Sequence, residues 1–461
     1  MRQYIHFAIL LALLASGCTP KLSAPDVRPP AHYIYGAGFR SDSIDIEDGW
    51  WRMFGDTVLN QLVDRALAQN RNLKVAVSRI EEARHNLRIV RSEYLPTFNV
   101  GISAGVSGGG GDTEQAYKLA RDFSWEIPLF GQLRQSSEAA RANIAYSEWQ
   151  YRGVRLSLIA EVATTYFTML QYRRDLEIAR RSASLRRESA TLIDSLFRRG
   201  MASGVNLEQA MNLVYTAEAD IPLYERAVKQ TALSMDVLLG EVPDSVLYTS
   251  SELQLITDYI PLDIPSGIPS EILSRRPDIM EAWYRMKQAA ANAGLARTAR
   301  LPSLSLTAGG GTASSDITQM FLKNSWLWNA GLSILQPVLH FGKLKRAERV
   351  AVEQYNQSVL SYEQSFLQAL SEVESILVSI STYRKETERY KALVRSNARI
   401  ALISNALYSN GLSAYLDVID AERTLYNSQM QFSNIVAQQY INYINLCKAL
   451  GGGWVEIPTN R

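Results

Sequence analysis

Two periods alternate along this chain. From Thr57 to Gln69 and from Asn72 to Ser92 apolar residues recur at helical spacing, with Leu59, Leu62, Val63, Ala66 and Leu67 on one face. At Leu95-Pro96 the period drops to two. Phe98, Val100, Ile102, Ala104 and Val106 alternate with Asn99, Gly101, Ser103, Gly105 and Ser107. After Gly108 to Gly111 and a polar turn, Phe123, Trp125, Ile127 and Leu129 alternate with Asp122, Ser124 and Glu126. Strands are therefore predicted over about 97–107 and 119–129. In the second half Leu304 and Leu306, then Trp326, Trp328, Ala330, Leu332 and Ile334, predict strands over about 303–311 and 326–338. Each has an apolar face and a small polar face. A tilted strand of about 9–11 residues crosses a bilayer, and the Trp and Phe residues suit an aromatic girdle at the lipid surface. The same pattern also describes a soluble sheet with one buried face. Pro96, Pro128, Pro302 and Pro337 sit where helix and strand meet, because a residue without an N–H suits a junction better than a ladder.

Between these strands run much longer helical patterns. Gln132 to Arg199 and Lys343 to Asn410 would each extend about 100 Å at 1.5 Å per residue, which demands coiled-coil partners. In the later run Val359, Tyr362, Phe366, Ala369, Val373, Ile376, Ile380 and Tyr383 recur at steps of three and four. Beside them lies a polar row from Ser358 through Ser361, Ser365, Gln368 and Glu372 to Thr382. In the return helix Val418, Ala421, Leu425, Ser428, Phe432 and Ile435 form an apolar stripe. The row Asp417, Asp420, Thr424, Asn427, Gln431, Asn434 and Gln438 runs next to it. An ordinary solvated face would carry more Lys and Glu, so these mostly uncharged rows suit helices packed edge to edge around water.

The halves correspond at a shift of 211. Gly131, Gly200 and Gly240 match Gly342, Gly411 and Gly451, and Leu133, Tyr151, Glu161, Tyr172, Ala210 and Tyr215 match Leu344, Tyr362, Glu372, Tyr383, Ala421 and Tyr426. One duplicated unit explains both glycine spacings.

Composition adds exclusions. The 461 residues carry 48 basic and 46 acidic side chains, a net charge of +2, which argues against nucleic acid as a partner. The two cysteines, Cys18 and Cys447, suggest no disulfide framework, and Cys447 suits a small buried apolar position. His6, His32, His85 and His340 have no metal-ligand spacing, so no metal site or cofactor is expected. Gly108 to Gly111 and Gly309 to Gly311 lack the Lys-Ser/Thr of a phosphate loop. No nucleophile with its base can be named, so the chain is not expected to be an enzyme. The N-terminus joins Arg2, an apolar run from Ile5 to Ala15, and the small residues Ala15-Ser16-Gly17 before Cys18. This resembles a bacterial lipobox, with Ala15 where Leu is usual. It implies cleavage before Cys18, a covalent lipid on Cys18, and, with Thr19 following, the outer membrane.

Four membrane strands leave unpaired edge groups in lipid, and barrels need about eight strands. The chain is therefore expected to associate with copies of itself, as a closed ring. At this point the residues carry a resemblance. Tyr408-Ser-Asn-Gly-Leu-Ser followed by Tyr415-Leu-Asp-Val-Ile-Asp-Ala-Glu-Arg-Thr-Leu-Tyr-Asn, with its earlier copy Phe197-Arg-Arg-Gly-Met-Ala-Ser, resembles the TolC family of outer-membrane efflux channels. Ser274-Arg-Arg-Pro-Asp278, Gly342-Lys-Leu and the lipobox point to its lipoprotein, NodT-type branch. The resemblance covers essentially the whole mature chain. It implies a mixed α+β membrane protein: a homotrimer whose transmembrane β-barrel, four strands per chain, continues into a long periplasmic α-helical barrel. It also implies a passive conduit served by a periplasmic adaptor and an inner-membrane pump, commonly of the RND class. A coiled-coil scaffold would share only the helices, and a porin-like passive channel only the strands.

The expected layout is a signal peptide (1–17), a lipidated arm (18–56), a first repeat (57–240) with helical hairpin 132–239, a linker (241–277), a second repeat (278–451) with hairpin 343–450, and a tail (452–461). Asp417 and Asp420 match the family's acidic pair at the periplasmic constriction, and Tyr408 matches an aromatic of the network that ties this gate shut. Their i, i+3 spacing puts both carboxylates on one helix face. Acidic residues in a first turn also complement the helix dipole, with Ser413 as N-cap. The family's basic partner falls at Ser413 here, leaving Arg423 or Arg199 to substitute. The turns Gly200, Met201, Ala202 and Ser203, and Gly411, Leu412 and Ser413, match the family's tunnel tip, where the adaptor or pump docks. Arg173, Arg174, Arg180, Arg181, Arg186 and Arg187 form either a basic docking surface or a solvated face.

Overall fold

The computed structural model describes residues 22, 24–36, 49–109, 112–243 and 275–452. The signal segment, Cys18, most of the linker and the tail beyond residue 452 lie outside them. The described chain runs α1 (Thr57–Gln69), α2 (Arg71–Ser92), β1 (Thr97–Gly109), β2 (Asp112–Ile127), α3 (Gln132–Arg198), α4 (Gly204–Leu239), α5 (Pro277–Thr298), β3 (Ser303–Ser314), β4 (Trp326–Leu335), α6 (Lys343–Ser409) and α7 (Tyr415–Ala449). Among the described residues no helix is long and apolar enough to cross a membrane. Two compact units divide the chain, and each draws on both halves of the sequence.

The first unit includes Val77–Trp149 and Met280–Ser365 and contains the sheet. Its order is β1-β2-β3-β4, antiparallel throughout. The register pairs Thr97 with Ser124, Ile127 with Leu304 and Ser303 with Leu335, which puts every helix junction at one end of the sheet. One face carries Phe98 opposite Phe123, Trp125 opposite Leu306, and Leu306 opposite Leu332. Phe98, Val100, Ile102, Trp326, Trp328 and Ile334 are exposed on the single chain. Arg121 interrupts this face between Val100 and Gly310. Its long stem lets the charged head lean toward water. Gly311 is required by close approach, since a Cβ there would sit 1.9 Å from the Leu119 carbonyl oxygen.

The strand limits differ from the alternation. β2 starts at Asp112, seven residues before the expected 119, because the ladder with β1 continues to the Gly109–Asp112 pair and tolerates Glu114, Gln115 and Lys118. β3 likewise runs on to Ser314. β2 stops at Ile127, where Pro128 removes the next donor. β4 stops at Leu335, and Gln336 turns its side-chain amide to the Arg300 and Pro337 carbonyls, both at 3.1 Å.

The second unit includes the described parts of Arg28–Ala76, Gln150–Ile279 and Phe366–Arg461. Its core joins Tyr166, Phe167, Val373, Leu377, Tyr440 and Tyr443, with Phe167 stacked on Tyr440 at 4.4 Å. Within the expected arm, Trp50–Phe54 is a short 3-10 helix that plants Trp50, Trp51 and Phe54 in this core. Asp56 caps α1 through the Val58 and Leu59 amides and also accepts the Tyr166 hydroxyl at 2.5 Å. Cys447 is buried and its thiol is pushed up to about 12 by burial.

One join is built twice in this unit. Asn70 donates to the Leu238 carbonyl at the end of α4, and Arg276 donates to the Ala449 carbonyl at the end of α7, each at 2.8 Å. Gly240 lies on the Gln69 backbone and Gly451 on the Arg275 backbone, so closely that an added Cβ would fall 2.8 Å from the carbonyl oxygen in each. Arg276 also grips Asp278 and Glu372, both at 2.7 Å, which gives the Arg-Arg-Pro-Asp run a structural task.

Candidate functional site

The turns that close the two long hairpins have one construction. Gly200 and Gly411 both have φ +73°, a conformation cheap only for glycine. The Gly200 and Gly411 amides donate to Phe197 and Tyr408, and those of Met201 and Leu412 reach back to Leu196 and Leu407, all at 2.9 Å. This double bond pattern ends a helix while satisfying its last carbonyls. Met201, Val205, Leu412 and Leu416 are left exposed. Ala202 packs against the small core of Ile193, Ala210, Val214, Tyr415 and Val418.

The return helices start differently. Ser203 caps α4 and accepts from the Asn206 amide at 3.2 Å. The N-cap of α7 is Ala414, which offers no side-chain cap, and Ser413, the expected N-cap, has a buried hydroxyl with no hydrogen-bond partner among the described residues. The chain turns one residue later than that expectation, so Ser413 stands just outside the cap position.

Asp417 and Asp420 lie on the exposed face of α7, in line with Thr424, Asn427, Gln431 and Asn434, all exposed. The neighbouring stripe of Val418, Ala421, Ser428, Phe432 and Ile435 is buried. Of the two substitute cations, Arg423 takes Asp420, at 2.9 Å along the same helix. Arg199 is exposed and in no ion pair among the described residues. Tyr408 packs its ring 5.1 Å from Tyr415, whose hydroxyl is pushed up to about 12, by burial first and then by Glu422 and Tyr408.

Behind the aspartates lies a cluster that sequence reasoning missed. Arg186 of α3 is only 3 % exposed. It donates to the Leu213 carbonyl of α4 at 3.0 Å and lies over the Tyr426 ring of α7 at 5.0 Å. Tyr426 in turn donates to Asp220 of α4 at 2.6 Å. Asn405 of α6 reaches Glu422 of α7 at 3.4 Å, and burial raises the Glu422 carboxyl despite Asn405 and Arg186. These groups connect both hairpins one to three turns from Asp417 and Asp420. The signal was available: Ala179, Ala183, Arg186, Ala190 and Ile193 step by four and three, and all five are buried, so Arg186 occupies a seam position.

Three more of these arginines are engaged within the chain. Arg174 lies over Phe432 at 5.5 Å, Arg180 pairs with Glu225 at 2.6 Å, and Arg187 pairs with Glu218. Arg180, Arg181 and Arg187 remain exposed.

Comparison with known proteins agrees with this architecture. The family model described as outer membrane efflux protein matches residues 62–241 and 268–452. The chain is 30 % identical over 462 residues to the probable outer membrane lipoprotein SilC of Salmonella typhimurium, covering 97 % of this chain and 98 % of that protein. It is equally similar to the cation efflux system protein CusC of Escherichia coli K12, at 30 % over 462 residues, 98 % and 99 % of the two chains. The crystal structure of the Campylobacter jejuni CmeC outer membrane channel superposes with a TM-score of 0.87 at 27 % identity, covering 95 % of each chain.

Proposed function

This chain belongs to the outer membrane efflux protein family, and on that premise we propose how it conducts. It is an outer-membrane channel of an efflux system, with a β-barrel and a helical barrel. The working unit is a homotrimer whose three sheets close a twelve-stranded barrel and whose long hairpins continue it as a twelve-helix periplasmic tunnel. A lipid on Cys18 holds each chain to the membrane. The channel catalyses no reaction. A periplasmic adaptor and an inner-membrane pump of the RND class supply cargo and energy, and the exposed turns Gly200–Ser203 and Gly411–Ser413 are where the tunnel tip meets them.

The observation that carries this reading is the sheet. β1 and β4 are both edge strands, and their apolar side chains are exposed. In lipid each unpaired backbone group costs several kcal/mol, which copies of the same chain remove by pairing β1 with β4.

Asp417 and Asp420 form the periplasmic gate, with Tyr408 in the network that keeps it closed. Symmetry gathers six carboxylates on the water-facing row of α7, where they attract cations and restrict passage. The expected basic partner is absent at Ser413. The cluster of Arg186, Asp220, Glu422 and Tyr426 holds the hairpins together in its stead. Single-channel recording in planar bilayers tests this. The double variant Asp417→Ala/Asp420→Ala should show higher conductance or weaker cation preference than the parent. Identical traces would remove the two residues from the gate, and no conductance from either protein would remove the channel itself.

A further inference from the structure

The four helix–strand junctions share a feature that conduction does not use. All lie at one end of the sheet. There Tyr94, Leu95, Leu129, Leu339 and Phe341 are exposed. Cations follow along the adjoining helices. Residues 84–95, 130–141, 291–302 and 338–349 together contain eleven Lys and Arg against three Asp and Glu, although the whole chain carries only +2. The loops at the other end of the strands, 107–116 and 312–325, contain three acidic residues and one lysine. The concentration of positive charge is thus confined to one side of the sheet.

Part of it is neutralised internally, as where Arg84 pairs with Glu81 and Glu148, and Arg300 with Glu348. Arg88, Arg91, Lys343, Lys345, Arg346 and Arg349 are exposed and in no ion pair among the described residues. Three of them open α6, whose first turn has no acidic residue. A helix N-terminus carries partial positive charge and favours anions, so Lys343, Lys345 and Arg346 stand against the local preference. Negative charge from outside the chain would stabilise that arrangement.

We infer that this collar is a docking surface for the anionic headgroups of phospholipids in the periplasmic leaflet of the outer membrane. The exposed apolar residues reach the acyl boundary, and the long Lys and Arg stems place their charges one step further out, at phosphate level. Charge complementarity and the order apolar strand, apolar junction, basic helix turn together select a lipid surface. The inference rests on the outer-membrane placement of the strands and is independent of the gate.

The full mature protein would be reconstituted in phosphatidylcholine vesicles holding trace spin-labelled phosphatidylglycerol or spin-labelled phosphatidylcholine. Association of each label with the protein is read from its motionally restricted spectrum. The anionic label should associate about fivefold more strongly at low salt, the size of one cation–headgroup contact, and the preference should shrink as salt rises. The variant Lys343→Gln/Lys345→Gln/Arg346→Gln/Arg349→Gln should lower it severalfold, while Lys343→Arg with Arg346→Lys should keep it. Equal association of both labels with the parent, or an unchanged preference in the quadruple variant, would overturn the inference. Conductance of the same vesicles separates the two readings: a conducting protein without lipid preference defeats the collar alone, and a non-conducting one defeats the channel.

Discussion

Asp175 shows how much one buried atom pair can matter in a long helix. It lies on α3 at 4 % exposure, and its Oδ1 has no hydrogen-bond partner among the described residues. Burial pushes the carboxyl up to about 6, further than Ser433, Gln171 and Arg174 pull it down. The folded state therefore holds this proton more tightly than the unfolded chain. Stability is highest below the unfolded carboxylate range, falls as pH rises through about 4 to 6, and stays lower above it. The difference is on the order of 3 kcal/mol. Asp175→Asn should flatten that slope and raise the melting temperature at pH 8 more than at pH 4.5, as thermal unfolding in detergent would read. Equal shifts at both pH values would exclude this carboxyl as the cause. The same scale explains what the sequence hid. An arginine on a helix looks solvated by type, and only the burial of its neighbours at steps of three and four puts Arg186 inside.

At the scale of elements, periodicity was informative where one face is buried and polarity alone was misleading. The long helices and the polar row of α7 were legible, because Val418, Ala421, Phe432 and Ile435 beside that row are buried. The start of β2 was not, because pairing with β1 carries polar residues into the ladder regardless of their own preference. The residues proposed as a gate were named only by resemblance. Nothing in their spacing separates a constriction from a helix start, and the absence of a cap at Ala414 appeared only with the backbone. That absence makes a prediction. Ser203 caps α4, and Ala414 is its counterpart in α7. Ala414→Ser should stabilise the first turn of α7 by about 1 kcal/mol, and slower hydrogen exchange at the amides of Leu416 and Asp417 would register it. Unchanged exchange there would mean that the serine does not cap.

For the whole molecule, the expectation is stoichiometric. Purified in mild detergent, the mature chain should give a native mass of three copies, with higher oligomers absent. A stable single copy would contradict the closed barrel. The fold class was largely legible because four two-period stretches flanked by very long helices suit few architectures. The duplicated join was not, because Asn70 and Arg276 share no chemistry in sequence although they bind matching carbonyls.

The two bare margins of the four-stranded sheet also reach into genetics. If the working unit is the proposed homotrimer, a cell making sound copies and faulty copies that still assemble, in equal number, gathers wholly sound assemblies in only about one case in eight, the cube of one half. A lesion confined to one strand margin would exclude its bearer from assemblies and so be recessive, whereas a lesion in the α7 row would travel with its sound neighbours and be dominant.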